Sequence, residues 1–347
     1  MRLVNLQELL DPLDIFRKLT TIRLEDVYNL CLKKGWTLGS PQLTWAMHQI
    51  IRIYHGAQVK LLKQFWAQSR PDLLVSVVPN FNRALYQSLE DRTPMVTILT
   101  DLADYPPHFW IEREQRQFFI CGTEYAAEQA REMGHSADRI FKTSGMILRP
   151  KFYDPLEIDR CGERIKLGLK PDLPTGLVLF GGEGSSTMLD IAKRVKGSLQ
   201  LIFICGKNQK IAQKLRALET PFPKSVQGFT SEIPPKSVQG FTSEIPFFMG
   251  LSDFFIGKPG PGSISEALAM KLPVMVERNA WTLPQERFNA DWVRNKKVGV
   301  VVKSFGDLNA GLAELLDPTN FKRFRANAAA IHNQAIFEIP DILESLL

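Results

Sequence analysis

The sequence predicts an α/β protein of two units, each built on a parallel sheet. Three observations carry this expectation. Short apolar runs alternate with helical patterns along the chain, the signature of parallel strands joined by crossover helices. Two glycine-rich segments each follow an apolar run and open a helical pattern. Residues 149–175 carry four prolines and many charges, which marks a crossing between a first domain, 1–148, and a second, 176–347. A length of 347 residues accommodates two such domains.

In chain order, residues 2–6 read as a strand. Residues 12–68 read as helices with aromatics on their buried faces, among them Phe16, Trp36, Trp45, Phe65 and Trp66. Apolar runs at 72–78, 95–100 and 117–121 read as parallel strands, with helical patterns at 83–89 and 124–133 between them. The second series comprises strands at 176–180, 199–205, 237–241, 254–257 and 273–276. A last helix, about 320–335, is expected to return toward the first domain. Residues 223–234 and 235–246 both read PKSVQGFTSEIP. Only one copy fits the sheet. The second runs directly into the next helix, so Ser237–Phe241 is the expected strand and the first copy an outlying loop.

The segment Gly257–Ala267, GKPGPGSISEA, points to chemistry. A strand, a glycine turn and a helix start aim unpaired backbone N–H groups at an anion. Gly260 and Gly262 permit close backbone approach, and Ser263 adds a hydroxyl donor. Glu266, one turn on, can accept hydrogen bonds from paired sugar hydroxyls, so phosphate and ribose together indicate a nucleotide. A tight turn with a capping box, Ser263 capping and Glu266 reaching back, is the alternative. A second loop, Gly181-Gly182-Glu183-Gly184-Ser185-Ser186, lacks both the P-loop lysine and G-x-G-x-x-G spacing. Two such loops at neighbouring strand ends suit a diphosphate.

The net charge of +6 is spread over both parts, which argues against nucleic acid and suits an anionic membrane surface. The four cysteines have no metal or redox spacing, as expected of thiols in a reducing cytosol. No apolar run approaches the roughly 20 residues of a membrane span, and the opening residues show no secretory pattern. The expected location is cytoplasmic, with any membrane contact peripheral.

The order FGGEGSS (180–186), ICGKNQK (204–210), VQGFT (238–242), GKPGPGSISEA (257–267) and PQERFN (284–289) resembles the UDP-sugar domain of glycosyltransferase family 28. Within it the chain is most similar to the monogalactosyldiacylglycerol synthase and diacylglycerol glucosyltransferase group. LTDLADYPPHFW (99–110), CGTEYAAEQAREMGH (121–135) and SGMILRPKF (144–152) extend the resemblance over nearly the whole chain. It implies a GT-B fold of two facing Rossmann-like domains. UDP-galactose or UDP-glucose would bind the second, and diacylglycerol or another membrane lipid the first, with no metal required. The diphosphate would lie on the two glycine loops (Gly182, Glu183, Gly184, Ser185; Gly260, Gly262, Ser263) and Arg149. Glu266 would take the ribose and the backbone near Phe241 the uracil. Gln285 and Glu286, with Asn289, would meet the sugar hydroxyls. Asn208 reads as a helix cap.

The chemistry needs a stabilised leaving UDP and a base at the acceptor hydroxyl, with inversion at the anomeric carbon. Asp101, just after a strand, is the best acceptor-side carboxylate, with a cap or turn role as the alternative. His108 lies near the same edge, displaced from the family's H-P-x-W. The family's opening strand and G-G-G-H loop do not occur here, so the first domain is expected to be truncated at its N-terminus and the chain poorly active. Three further readings remain: a polyprenyl-linked sugar transferase of the same family, a UDP-sugar epimerase or hydrolase of the same fold, and a non-catalytic UDP-sugar-binding remnant.

Overall fold

The computed structural model describes residues 2–11, 49, 51–90, 92–105, 108–228 and 244–347. Two parallel sheets organise them. The first has four strands in sequential order: β1 (Leu74–Ser76), β2 (Met95–Ile98), β3 (Phe118–Cys121) and β4 (Ile140–Lys142). Residues 2–6 form no strand. Asn5 instead accepts N–H bonds from Gln7 and Glu8 and caps a short helix, α1 (Leu6–Leu10). Asparagine is a strong N-cap, and the i, i+4 pair Leu6 and Leu10 packs against Leu62 and Leu74. Of the helical region expected at 12–68, the described part shows α2 (His55–Gln68), followed after β1 by α3 (Asn82–Ser88). Between β3 and β4 lies α4 (Glu124–Glu132), capped by the Thr123 hydroxyl.

The crossing segment contains a single 3-10 turn at Pro150–Phe152 and a helix, α5 (Arg160–Lys166). The buried Arg164 of α5 donates to the carbonyls of Leu251 and Pro171 and pairs with Asp253 at 2.8 Å.

The second sheet has six parallel strands, ordered β10-β9-β8-β5-β6-β7. They are β5 (Thr175–Leu179), β6 (Gln200–Ile204), β7 (Lys224–Gln227), β8 (Phe254–Gly257), β9 (Val274–Glu277) and β10 (Gly299–Val302). Helices cover both faces, which is why these strands are continuous apolar runs. Val178, Phe203 and Ile256 enter one core, and Leu177, Leu179 and Phe255 the other.

Three expectations need correction. The first repeat copy, not the second, supplies strand β7, because it follows α7 (Gln209–Ala217) after a short connection anchored by the buried Phe222. The expected strand at Ser237–Phe241 lies outside the described residues. Each sheet is closed by a strand that was not expected: β4 is three residues long with none of them buried, and β10 follows a helix that ends without glycine, on Lys297 at φ 52°. The expected helix at 320–335 is two helices, α12 (Pro318–Ala329) and α13 (Ala335–Glu344). They separate where Asn333 donates to the Met146 carbonyl at 2.7 Å and Gln334 N–H to Ser144 Oγ at 2.6 Å. Helix α13 then packs on the first sheet, against Val96, Ile98 and Ile120.

Candidate active site

Topology fixes where a ligand would sit. Strands β5 and β8 are neighbours, but β6 and β7 continue to one side and β9 and β10 to the other. At such a switch point the connections diverge and leave a crevice at the strands' carboxyl ends. The connections after β5 and β8 are the two glycine-rich segments.

The first loop is braced from behind. Gly184, at φ 61°, sits so close to the Cys205 carbonyl that a Cβ would lie 2.7 Å from that oxygen. Gly206, at φ 55°, leaves no room for a Cβ against the Gly182 carbonyl. That same carbonyl accepts the Lys207 N–H at 2.8 Å. Asn208 caps α7 through Ile211 N–H, as the sequence indicates, and its Nδ2 holds the Glu183 carbonyl at 3.2 Å. Glu183 itself is exposed, 3.9 Å from Lys207. Ser185 turns its hydroxyl to Thr187 at the start of α6 (Thr187–Arg194).

The second loop opens helix α9 (Pro261–Ala269) at Gly260, with no side chain capping it. The capping box of Ser263 and Glu266 is therefore not formed. The N–H groups of Gly262 and Ser263 fall in the first turn, where a helix supplies no acceptor and its dipole is positive. Glu266 is largely buried and pairs with Arg149 at 3.2 Å. Burial raises its pKa, and the guanidinium partly offsets that rise. The structure thus brings two predicted residues together, from the crossing segment and from α9.

Lys258, which sequence reasoning passed over, lies between the loops. Its Nζ is 2.6 Å from Glu286 Oε1, and its Cε is 3.8 Å and 3.6 Å from where Cβ atoms at Gly181 and Gly260 would sit. Glu286 is buried at the start of α10 (Pro284–Lys296), with Gln285 half-buried beside it. Asn289, fully buried, uses its Nδ2 to hold the Pro259 carbonyl at 2.9 Å. Phe241 lies outside the described residues. Because the first repeat copy forms β7, the matching position after that strand is Phe229, which also lies outside them.

The opposing wall is the carboxyl edge of β2. Asp101 is 9 % exposed, and its Oδ2 accepts the Trp110 indole N–H at 2.9 Å. Its pKa is pushed up to about 6, chiefly by burial; the indole hydrogen bond opposes that, Glu286 adds to it and Lys258 reduces it. Trp110 is the hub of this wall, with its carbonyl held by Asn82 and its N–H by Asp104. Being buried, it belongs to the core and not to an exposed interface. Asp104, fully buried, also accepts the His108 N–H, and burial raises its pKa to about 7. His108, at φ 66°, lines a cavity of about 500 Å³ with Arg52, His55, Gln58, Asn80, Arg83 and Glu112. No sequence signal marked Asp104, because a lone aspartate in a loop resembles any turn residue. Lys258 sat inside the glycine motif and could have been read there.

Among the described residues, no helix is long and apolar enough to cross a membrane. No family model matches the chain. A probable monogalactosyldiacylglycerol synthase 3 of Oryza sativa subsp. japonica is 30% identical over 290 residues, covering 78% of this chain and 53% of the relative. Monogalactosyldiacylglycerol synthase 1 of Arabidopsis thaliana is 27% identical over 266 residues, covering 72% of this chain and 46% of the relative. The chain thus spans about half the length of the curated relatives it matches. Among solved structures, Acinetobacter baumannii MurG matches with a TM-score of 0.54 at 12% identity, covering 83% of this chain and 77% of that one. Anabaena HepE in complex with UDP-glucose matches with a TM-score of 0.54 at 17% identity, covering 83% and 81%. The chain has the GT-B fold and is, over most of its length, a distant homologue of the monogalactosyldiacylglycerol synthases.

Proposed function

We propose that this protein transfers a hexose from a UDP-sugar to a membrane lipid, diacylglycerol being the acceptor favoured by the relatives, with inversion at the anomeric carbon. The observation that carries the reading is the placement of two glycine loops at the β5/β8 switch point, with the buried carboxylate of Asp101 after β2 of the other sheet. The first-turn N–H groups of α9 would take the charge that develops on the leaving diphosphate. Arg149 would leave Glu266 for the diphosphate as Glu266 accepts the ribose hydroxyls, and Gln285 with Glu286 would contact the sugar. Asp101, ionised above a pH of about 6, would accept the acceptor hydroxyl's proton. The cavity beside α2 and α3 is lined by Arg52 and Arg83, whose guanidinium donors suit the ester carbonyls of a diacylglycerol. The net charge of +6 favours a peripheral position on an anionic cytoplasmic membrane face.

The test is incubation with labelled UDP-galactose or UDP-glucose and diacylglycerol vesicles. Label in the lipid phase is the expected result. Binding of UDP with no label transferred would leave a UDP-binding protein and remove the transferase reading.

A further inference from the structure

We propose that Tyr125 is a positioning residue: stacked on Phe288 across the cleft, it sets the spacing between the 101–104 loop, which carries Asp101, and the turn of α10 that carries Gln285 and Glu286. The proposal deepens the transferase reading and rests on it for its catalytic meaning.

The two halves of the molecule meet in more than one place. At the chain crossings, Asn333 and Gln334 bond to the 144–146 segment. Away from the crossings, the rings of Tyr125 and Phe288 lie 13° from parallel with their centroids 4.5 Å apart. Tyr125 stands in the first turn of α4, in the first half, and Phe288 one turn into α10, in the second. Tyr125 remains 46% exposed. The contact is therefore held by the stacking of two rings and not by burial in a core. Such a pair adds modestly to stability, yet it fixes a distance between two helices.

Each ring is tied to its own wall. Thr123, which caps α4 through the Ala126 N–H, donates its hydroxyl to the Leu102 carbonyl, directly after Asp101. Farther along α4, Gln129 accepts the Asp104 N–H and donates to the Asp104 carbonyl, both at 2.9 Å. The 101–104 loop is thus bonded to α4 at both ends, and a shift of α4 carries Asp101 with it. On the other wall, Gln285, Phe288 and Trp292 recur at i, i+3 and i+7 and share one face of α10. Phe288 and Trp292 pack on the cluster of Leu102, Met146 and Leu148, so that face is turned toward the first half. The stack therefore joins the helix that holds the Asp101 loop to the helix turn expected to meet the sugar. In a bond-forming pair a misplacement of about 1 Å can cost on the order of 10²-fold in rate.

Hydrogen exchange on the full chain reads this spacing without turnover. In Tyr125→Ala, amides at 101–104 and 285–289 should exchange faster, while 95–98 and 254–257 keep their protection. UDP affinity by calorimetry should be unchanged, because the glycine loops draw nothing from α4. With labelled UDP-sugar and diacylglycerol vesicles, kcat should fall about 10- to 100-fold with little change in KM for the UDP-sugar. Phe288→Ala should do the same. The double variant should be no slower than either single variant, since one contact is lost in all three. Tyr125→Phe keeps the ring and should restore both rate and protection. Unchanged exchange at the two segments, or a Tyr125→Ala rate equal to that of the full chain, would overturn the proposal. So would a double variant whose loss is the product of the two single losses. Faster exchange at both segments in a chain that makes no lipid product would sustain the spacing role and remove the transferase reading.

Discussion

Asp101 and Asp104 lie three residues apart yet receive different contacts. Asp101 accepts a hydrogen bond from the neutral Trp110 indole and is ionised above a pH of about 6, so its carboxylate can take up a proton. Asp104 is tied to the backbone N–H groups of Trp110 and His108 and holds the 104–111 loop in shape. Asp101→Asn should therefore lower kcat by about 10²- to 10⁴-fold, the usual weight of a general base, while UDP affinity measured by calorimetry stays unchanged. Loss of UDP binding in that variant would assign Asp101 to the fold instead. Asp104 makes a different prediction, about stability. Its carboxyl is raised from an ordinary 3.8 to about 7 in the folded chain. Folding therefore gains from this group fully below the lower value, and the gain disappears as pH rises through the upper one. Melting should occur at lower temperature at pH 8 than at pH 5, and Asp104→Asn should make that slope shallower.

Elements built from continuous apolar runs were legible from sequence, because a strand buried on both faces needs no alternation and stands out against its polar connections. The first glycine loop was legible for a different reason: Gly181 and Gly184 occupy left-handed backbone that other residues avoid. What could not be read was set by contacts distant in sequence. The pairing of Arg149 with Glu266, the break at residues 330–334 and the choice of repeat copy each depend on a partner from another part of the chain. That choice makes a prediction. Strand β7 comes from the first copy, whereas helix α8 (Ile245–Gly250) begins with Ile245 and Pro246 of the second. Deleting either copy yields the same chain, in which Ile233 and Pro234 lead into Phe247 and every described element keeps its residues. The connection shortens from 228–244 to 228–232, which should stabilise the fold by about 1 kcal/mol through reduced loop entropy. A fall in the denaturation midpoint would show that the longer connection contributes contacts of its own. Elsewhere, Arg164→Ala should cost about 1–3 kcal/mol by leaving the Leu251 and Pro171 carbonyls without their donor, Asp253 keeping its pair with Arg160, measured by urea unfolding.

At the scale of the molecule, the two sheets are joined by more than the chain that links them. Asn333 and Gln334 bond to the 144–146 segment, Glu338 accepts the Ser144 N–H at 2.7 Å, and Tyr125 stacks on Phe288 with ring centroids 4.5 Å apart. Leu102, Met146 and Leu148 form a small apolar contact with Phe288 and Trp292 beside them. The first sheet completes its core with a helix from the far end of the chain: Ala335 and Ile339 of α13 are buried with Val96, Ile98 and Ile120. The glycine loops, by contrast, belong to the other sheet and draw nothing from α13. Ile339→Ala should therefore destabilise the first sheet by about 2–5 kcal/mol, the cost of a truncated core side chain, and leave the second sheet almost untouched. Hydrogen exchange resolves the two. Protection should fall at 95–98 and 118–121 while 175–179 and 254–257 keep theirs, and added UDP should protect only the latter group further. Equal loss in both sheets would mean that the halves unfold as one cooperative unit, and that the cleft cannot open without melting the fold on either side of it.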